Sequence, residues 1–255
     1  MNRPHISACI ITFNEEKNIE ACLDSITWVE EIIVVDSMSS DATVELSKRF
    51  TDKVFKKEWQ GHVSQKNYAL QFAQNEWVLC LDADERVSPE LREEIEHHLS
   101  SDNQAVDGYF FPRHSYYLGR WINHGGWYPD YKLRLFKKSK GYWGGKDPHD
   151  KVMLDGVTAC LTSDLLHYVY RNLSHQLQTV DSFSSITASI LHGEGESFSV
   201  ASLIFRPAGK FLGTYCIKRG FMDGLPGFII AVSSSFYVFL RYAKLWELQQ
   251  QKRDE

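Results

Sequence analysis

Two short runs in the first hundred residues, Ile32 to Val35 and Val78 to Leu81, are apolar at every position, and each ends abruptly in aspartate, Asp36 and Asp82. A half-exposed strand alternates polar with apolar residues, so a run without alternation is buried on both faces, as in a parallel sheet covered by helices on either side. Two further strand-like segments, ISACIITF and VFKKEW, join EIIVVD and EWVLCLDAD, and helical patterns fall between them at Asn14 to Ile26, Ser40 to Phe50 and Val63 to Gln74. Ser88-Pro89-Glu90 has the form of a helix start, a capping hydroxyl followed by proline in the first turn. This alternation predicts βα units feeding a parallel sheet, an α/β half-domain over residues 1–100.

After Ser100 the pattern changes to aromatic, strand-like pieces, GYFFPRHSYYL, YKLRLFKK, GYWGG and KVMLDG, set off by Gly, Pro, Asn and Asp. From about Leu165 the chain reads as helical. The expected organisation is a catalytic domain over 1–200, with its second half over 101–200 holding a second substrate, and a helical extension over 201–255. Among 255 residues, 33 acidic against 28 basic side chains exclude a global basic field of the kind that binds nucleic acid, so any anion site must be local. Five widely spaced cysteines, Cys9, Cys22, Cys80, Cys160 and Cys216, suit reduced core residues rather than a disulfide framework, and no zinc spacing occurs. The first apolar run lacks a small-residue cleavage site and reads as a strand, which places the chain in the cytoplasm.

Open parallel sheets bind ligands beyond the carboxyl ends of their strands, where Asp36 and Asp82-Ala83-Asp84 stand. Asp82 and Asp84 are two apart, so in an extended segment both side chains point the same way and offer two hard oxygens to Mg²⁺ or Mn²⁺. Such a cation neutralises a departing diphosphate. The other reading is an acidic turn before the Ser88 helix, and a DxD alone does not decide between them. Lys66 shares a helix stripe with Ala69, Leu70 and Ala73. There it either snorkels from the first turn or reaches an anion in the crevice, and its neighbours Gln65 and Asn67 favour the anion.

An ordered set of segments, IITFNEEKNIEACLDSI, IIVVDSMSSDAT, QKNYAL and WVLCLDADERVSPEL, resembles the inverting family 2 glycosyltransferases of GT-A fold. RLFKK, PHDKV, LLHYVY and the tail from RPAGKFLGTY to YAKLWE extend the likeness to bacterial lipopolysaccharide core enzymes that add β-linked glucose to an inner-core heptose. The resemblance implies a mixed, mainly parallel, Rossmann-like sheet flanked by helices, and a UDP-sugar donor. It puts Thr12, Phe13, Asn14 and Glu15 beside the nucleotide, Asp36 on the uracil ring, Lys66 near base or phosphate, and Asp82 on ribose or metal. Asp84 would bind the metal with His167, which without the resemblance reads as a buried core histidine.

Inversion needs a general base for the acceptor hydroxyl. Asp150 of KDPHDKV is the candidate, with Asp147 and His149 as rivals; related sequences usually carry glutamate after the histidine, so the shorter aspartate is a departure. Between Trp121 and Tyr131, Trp127 and Asp130, with Arg134 nearby, suit an acceptor sugar, or else pack under a long loop; Arg113 is a further phosphate contact. The apolar run Phe228 to Leu240 is only 13 residues, short of the ~20 of a transmembrane helix. With the surrounding cations it suits the surface of an anionic membrane, a lipid-linked acceptor and a peripheral location on the inner face of the cytoplasmic membrane; a packed hairpin or a dimer contact are the alternatives. Two rival functions remain at this level. A sugar-phosphate nucleotidyltransferase would need a glycine-rich basic loop that IITFNEEKN lacks, and an inactive nucleotide-sugar or glycan-binding module could dispense with Asp84 or Asp150.

Overall fold

The computed structural model describes residues 3–100, 105–146 and 149–254. The strands are β1 (Ile6–Thr12), β2 (Glu31–Asp36), β3 (Val54–Lys56), β4 (Trp77–Asp82), β5 (Glu85–Val87), β6 (Gly108–Tyr117), β7 (Arg120–Trp121), β8 (Asp130–Lys137), β9 (Gly141–Lys146), β10 (His149–Leu154), β11 (Thr158–Cys160) and β12 (Leu165–His167). The helices are α1 (Ile19–Asp24), α2 (Thr43–Ser47), α3 (His62–Phe72), α4 (Pro89–Ser100), α5 (Leu173–Gly193), α6 (Val200–Leu212) and α7 (Gly224–Asp254). By contacts the chain forms two compact units, one of residues 1–114 and 130–167, the other of 115–129 and 168–255. The expected boundary at 200/201 therefore lies inside the second unit.

In the first unit the sheet runs β3-β2-β1-β4-β8-β6-β12-β5. β1 to β4 are mutually parallel, whereas β8 joins β4 antiparallel, β6 joins β8 antiparallel and β11 pairs with β6 parallel, so the sheet is mixed. Every residue of β1 and β2 is buried, as their unbroken apolar runs require. Ile10, Val34 and Leu79 pack on one face with α1 and α4; Ile11, Ile33 and Val35 pack on the other with α3. Full burial of each such side chain contributes about 1.5–3 kcal/mol.

The helices are shorter than the sequence pattern suggests. Asn14 turns the chain with a left-handed φ of 52°, its Oδ1 accepting the Ser40 N–H at 2.9 Å, and α1 begins only at Ile19. α2 begins at Thr43, behind an Asp41 carboxylate that accepts the Thr43 N–H at 3.0 Å. At α4 the expected cap is present, with Ser88 Oγ accepting the Leu91 N–H at 3.1 Å. The segment from Leu165 is not helical at first: β12 forms before Asn172 caps α5. Cys9, Cys22 and Cys80 are buried free thiols, whereas Cys160 and Cys216 are free but exposed rather than in the core.

The second unit holds β7, α5, α6, a π-helical turn Gly213–Ile217, a 3₁₀ turn Gly220–Asp223 and α7. The 13-residue apolar run judged too short to span lies inside a 31-residue helix, because the polar residues after Leu240 continue helical rather than breaking. By length and composition Gly220–Gln250 could cross a membrane, with 33% of its most apolar window buried.

Candidate active site

The chain runs outward from β1 to β2 and β3, then returns to place β4 on the other side of β1. That reversal opens a crevice at the carboxyl ends of β1 and β4, the position where α/β sheets take ligands. A cavity of about 510 Å³ lies there, lined by Thr12 at the end of β1 with Phe13 and Glu15 after it, Ser37 after β2, Trp59 and His62, and Asp82 at the end of β4 with Ala83 and Asp84 after it. Thr12 and Asp36 are register partners, and Thr12 Oγ1 and Asp36 Oδ1 are both buried without a hydrogen-bond partner. Asp36 is fully buried, its other oxygen accepting the Ser39 N–H at 2.8 Å. The side chain of Asn14 is engaged with Ser40 and that of Glu15 accepts from Asn18, so these two shape the rim from within the loop.

Asp82 and Asp84 do not point the same way. β4 ends at Asp82, residues 83 and 84 make a turn, and β5 starts at Glu85, so the extended geometry assumed for the DxD stops after its first aspartate. Asp82 faces α3 and β8: its carboxylate meets Lys66 Nζ at 3.0 Å and Arg134 Nη2 at 2.6 Å. Burial pushes the Asp82 carboxyl up, but Arg134 and Lys66 outweigh it and hold the group well below the usual carboxylate range. Asp84 instead lies 3.4 Å from His167 Nε2. The antiparallel pairing of β12 with β5 sets His167 opposite Glu85, one residue from Asp84, and this strand is what makes the histidine part of the site.

A carboxylate and an imidazole are both acceptable to Mn²⁺, and the carboxylate to Mg²⁺. Among the described residues no group of three or more His, Cys, Asp or Glu could hold a metal. The pair therefore fits a cation that takes its remaining ligands from diphosphate and water, which is how Mg²⁺ is ordinarily held beside substrate phosphates.

A second cavity, of about 390 Å³, also has Asp82 in its wall, together with Lys66, Arg113, Tyr131, Arg134, Trp143 and Asp150. Asp82 is thus common to both cavities. Lys66, 6% exposed, bridges Asp82 and Asp150, the latter at 2.8 Å, and sits 4.3 Å from the centroid of the Trp143 ring. Antiparallel pairing of Leu79 with Leu135 carries Arg134 toward the end of β4, where it reaches Asp82 and the fully buried Glu85, each at 2.6 Å. Burial alone would lower the Arg134 guanidinium; Asp82 and Glu85 reverse this and raise it further above its ordinary value. Arg113 is held by Asp130 at 2.7 Å and by Glu85 at 3.4 Å. Within the first unit, Asp130 and Arg134 of the expected acceptor set are linked through Arg113 and Glu85. Asp130 is engaged with Arg113 and Lys132, Arg134 with the DxD carboxylate, and Trp127 belongs to the second unit, where it packs beside Tyr117 and Tyr170. Asp147 and the side chain of His149 lie outside the described residues. Glu85 and Trp143 were not anticipated. A carboxylate directly after Asp84 was a usable signal for the first; nothing in GYWGG marked the second.

Residues 7–160 match the model of Glycosyl transferase family 2. The chain belongs to that family. This glycosyltransferase is 34% identical, over 98% of its own length and 89% of the other, to an uncharacterized glycosyltransferase of Rickettsia typhi. It is 30% identical, over 95% of its length and 92% of the other, to the lipopolysaccharide core biosynthesis glycosyltransferase LpsC of Rhizobium meliloti. Its fold is that of GT-A enzymes: the mannosyltransferase PcManGT of Pyrobaculum calidifontis, solved with GDP-Man and Mn²⁺, superposes with a TM-score of 0.58 at 15% identity, covering 97% of this chain and 88% of that one.

Proposed function

We propose that this family 2 enzyme transfers a hexose, with inversion, from a nucleotide sugar, UDP-glucose in the first instance, to a hydroxyl of a lipid-linked saccharide such as a lipopolysaccharide inner-core heptose. The observation that carries the reading is that Asp82 lines two cavities, with Asp150 in the wall of the second and the Asp84–His167 pair at the first. An inverting displacement needs a leaving group on one side of the anomeric carbon and a base on the other. The first cavity offers Phe13 and Trp59 as half-exposed rings for a base, and close by it Asp36 Oδ1 is an acceptor without a partner, which suits the nucleotide. The second offers Tyr131, 46% exposed, as a platform for an acceptor sugar.

In this reading the acceptor hydroxyl oxygen bonds to the anomeric carbon as the carbon–phosphate oxygen bond breaks, and its proton passes to Asp150. A divalent cation held by Asp84 and His167 would supply charge neutralisation for the nucleoside diphosphate. Lys66 holds the Asp150 carboxylate in place through their ion pair. LpsC, as a relative, supports the acceptor class, and PcManGT supports no more than the fold.

The test is release of nucleoside diphosphate from a panel of nucleotide sugars, with and without truncated lipopolysaccharide. Acceptor-dependent, metal-dependent release that disappears in Asp84→Ala is the expected result. Release that ignores both metal and acceptor in the wild-type enzyme would overturn it.

A further inference from the structure

The second unit carries a surface that the transfer reaction does not use. Along α7, Leu225, Phe228, Val232, Phe236 and Phe239 are all exposed, and their spacing of three and four residues puts them on one stripe. At 1.5 Å per residue this stripe is about 21 Å long. α6 exposes Val200, Ile204, Phe205, at 72%, and Leu212, and the π-helical turn exposes Ile217 at 80%. Ring contacts join the two helices: Phe211 and Tyr215 both lie against Phe228, at 6.0 and 5.6 Å, and Tyr215 lies against Phe221. So much exposed apolar area within one helix pair exceeds what a soluble surface ordinarily leaves open.

The charge on this segment is one-sided. Residues 200–246 contain six Lys and Arg and a single acid, Asp223, in a chain that is net negative. Asp223 is buried and bound to His124 and Arg120, so it does not offset the surface cations. Arg206, Lys210, Lys218 and Arg219 are exposed.

We propose that the α6–α7 face seats this enzyme on an anionic lipid bilayer, with α7 lying in the membrane plane. Charge complementarity selects the occupant. A second copy related by a two-fold axis would set the same cations against each other, whereas anionic headgroups neutralise them. The in-plane placement follows from packing. The side of α7 away from the stripe buries Ile230, Ala231, Val238, Tyr242 and Leu245, and Ser235 Oγ donates to Pro207 O of α6 at 2.8 Å. A crossing helix presents apolar surface to lipid all round, whereas this one has a single open stripe, the pattern of an interfacial helix. The inference rests on this surface and not on which sugar is moved, so it stands or falls separately from the proposed transfer.

The experiment is co-sedimentation of the full chain with phosphatidylcholine vesicles, with or without about a third phosphatidylglycerol. The wild-type protein is expected to pellet with the anionic vesicles and to be released by alkaline carbonate. Lys210→Gln with Lys218→Gln should weaken anionic binding by about 25-fold at low salt, roughly fivefold for each cation. Leu225→Gln, Phe236→Gln and Phe239→Gln together should abolish binding while the thermal midpoint and nucleoside diphosphate release with a soluble acceptor fragment stay unchanged. Wild-type protein left in the supernatant, or a stripe variant that binds as the wild type does, would overturn the proposal. Retention after carbonate would overturn the in-plane placement. A wild-type dimer that the stripe variant dissociates, with vesicle binding absent from both, would assign the face to a second copy instead.

Discussion

Lys66 joins two carboxylates that serve different ends, Asp82 between the cavities and Asp150 at the candidate base position. Lys66→Met leaves both carboxylates without that partner, and removing one member of a buried ionic group costs on the order of 3–5 kcal/mol. Chemical denaturation should register a loss in that range. Asp150→Asn tests a different property: the amide keeps the size but cannot take a proton. Its kcat should fall by about 10²–10⁴-fold, with the donor KM and the thermal midpoint little changed. A wild-type kcat in Asp150→Asn would move the base to another residue.

Arg134 and Glu85 belong to the same network, and their joint burial gives a double-mutant prediction. Arg134→Met leaves the fully buried Glu85 with Arg113 as its remaining cation, beside the Asp82 N–H that it accepts, and should destabilise by about 3–5 kcal/mol. Adding Glu85→Leu removes the stranded charge, and the double variant should unfold at higher denaturant concentration than Arg134→Met alone. Equal or greater instability of the double variant would show that Glu85 finds compensation elsewhere.

At the scale of elements, Glu31 at the amino end of β2 gathers three others. It accepts the Gln74 N–H after α3 at 2.8 Å, pairs with Lys53 before β3, and takes the Ser7 hydroxyl of β1. Burial raises its carboxyl, but the Gln74 amide, Lys53 and Ser7 together lower it below its ordinary 4.5. A depressed carboxylate contributes stability that is fully present above its unfolded value and is lost as pH falls through the folded one. Glu31→Gln should therefore be less stable than wild type at neutral pH, and the gap should close between about pH 5 and pH 3. Urea midpoints across that range would check it; a constant gap would count against an electrostatic cause.

The elements also show where sequence patterns mislead and why. The unbroken runs ending in Asp36 and Asp82 formed the buried strands they predicted, since two-sided burial leaves little alternative. β12 escaped notice because three residues, Leu165–His167, are too few to show a period, and their strand character comes from pairing with β5. The opposite error occurred in α1 and α2, where the helical pattern continues through Asn14 and Asp41 while their side chains bind backbone amides in place of helix bonds.

At the scale of the whole molecule, the cation proposed at Asp84 and His167 would depend on the nucleotide for its other ligands. UDP with Mn²⁺ should raise the thermal midpoint by more than the sum of the shifts each gives alone, since at 100-fold over Kd a ligand adds about 2.7 kcal/mol. Strictly additive shifts would mean that metal and nucleotide bind apart.

The buried parallel strands of the first hundred residues, the aspartates that end two of them and the family likeness were all local in the chain, and the sequence by itself was enough to determine them. The partners of those aspartates were not local. Asp82 could have shared a cation with Asp84, but a turn of two residues parted them; the register of β8 against β4 brought Arg134 to one, and that of β12 against β5 brought His167 to the other. Hydrophobic periodicity reports how deeply a residue is buried and on which face, because burial acts on each element by itself. Which charges meet depends on register between distant strands, and that is decided only when the whole sheet has formed.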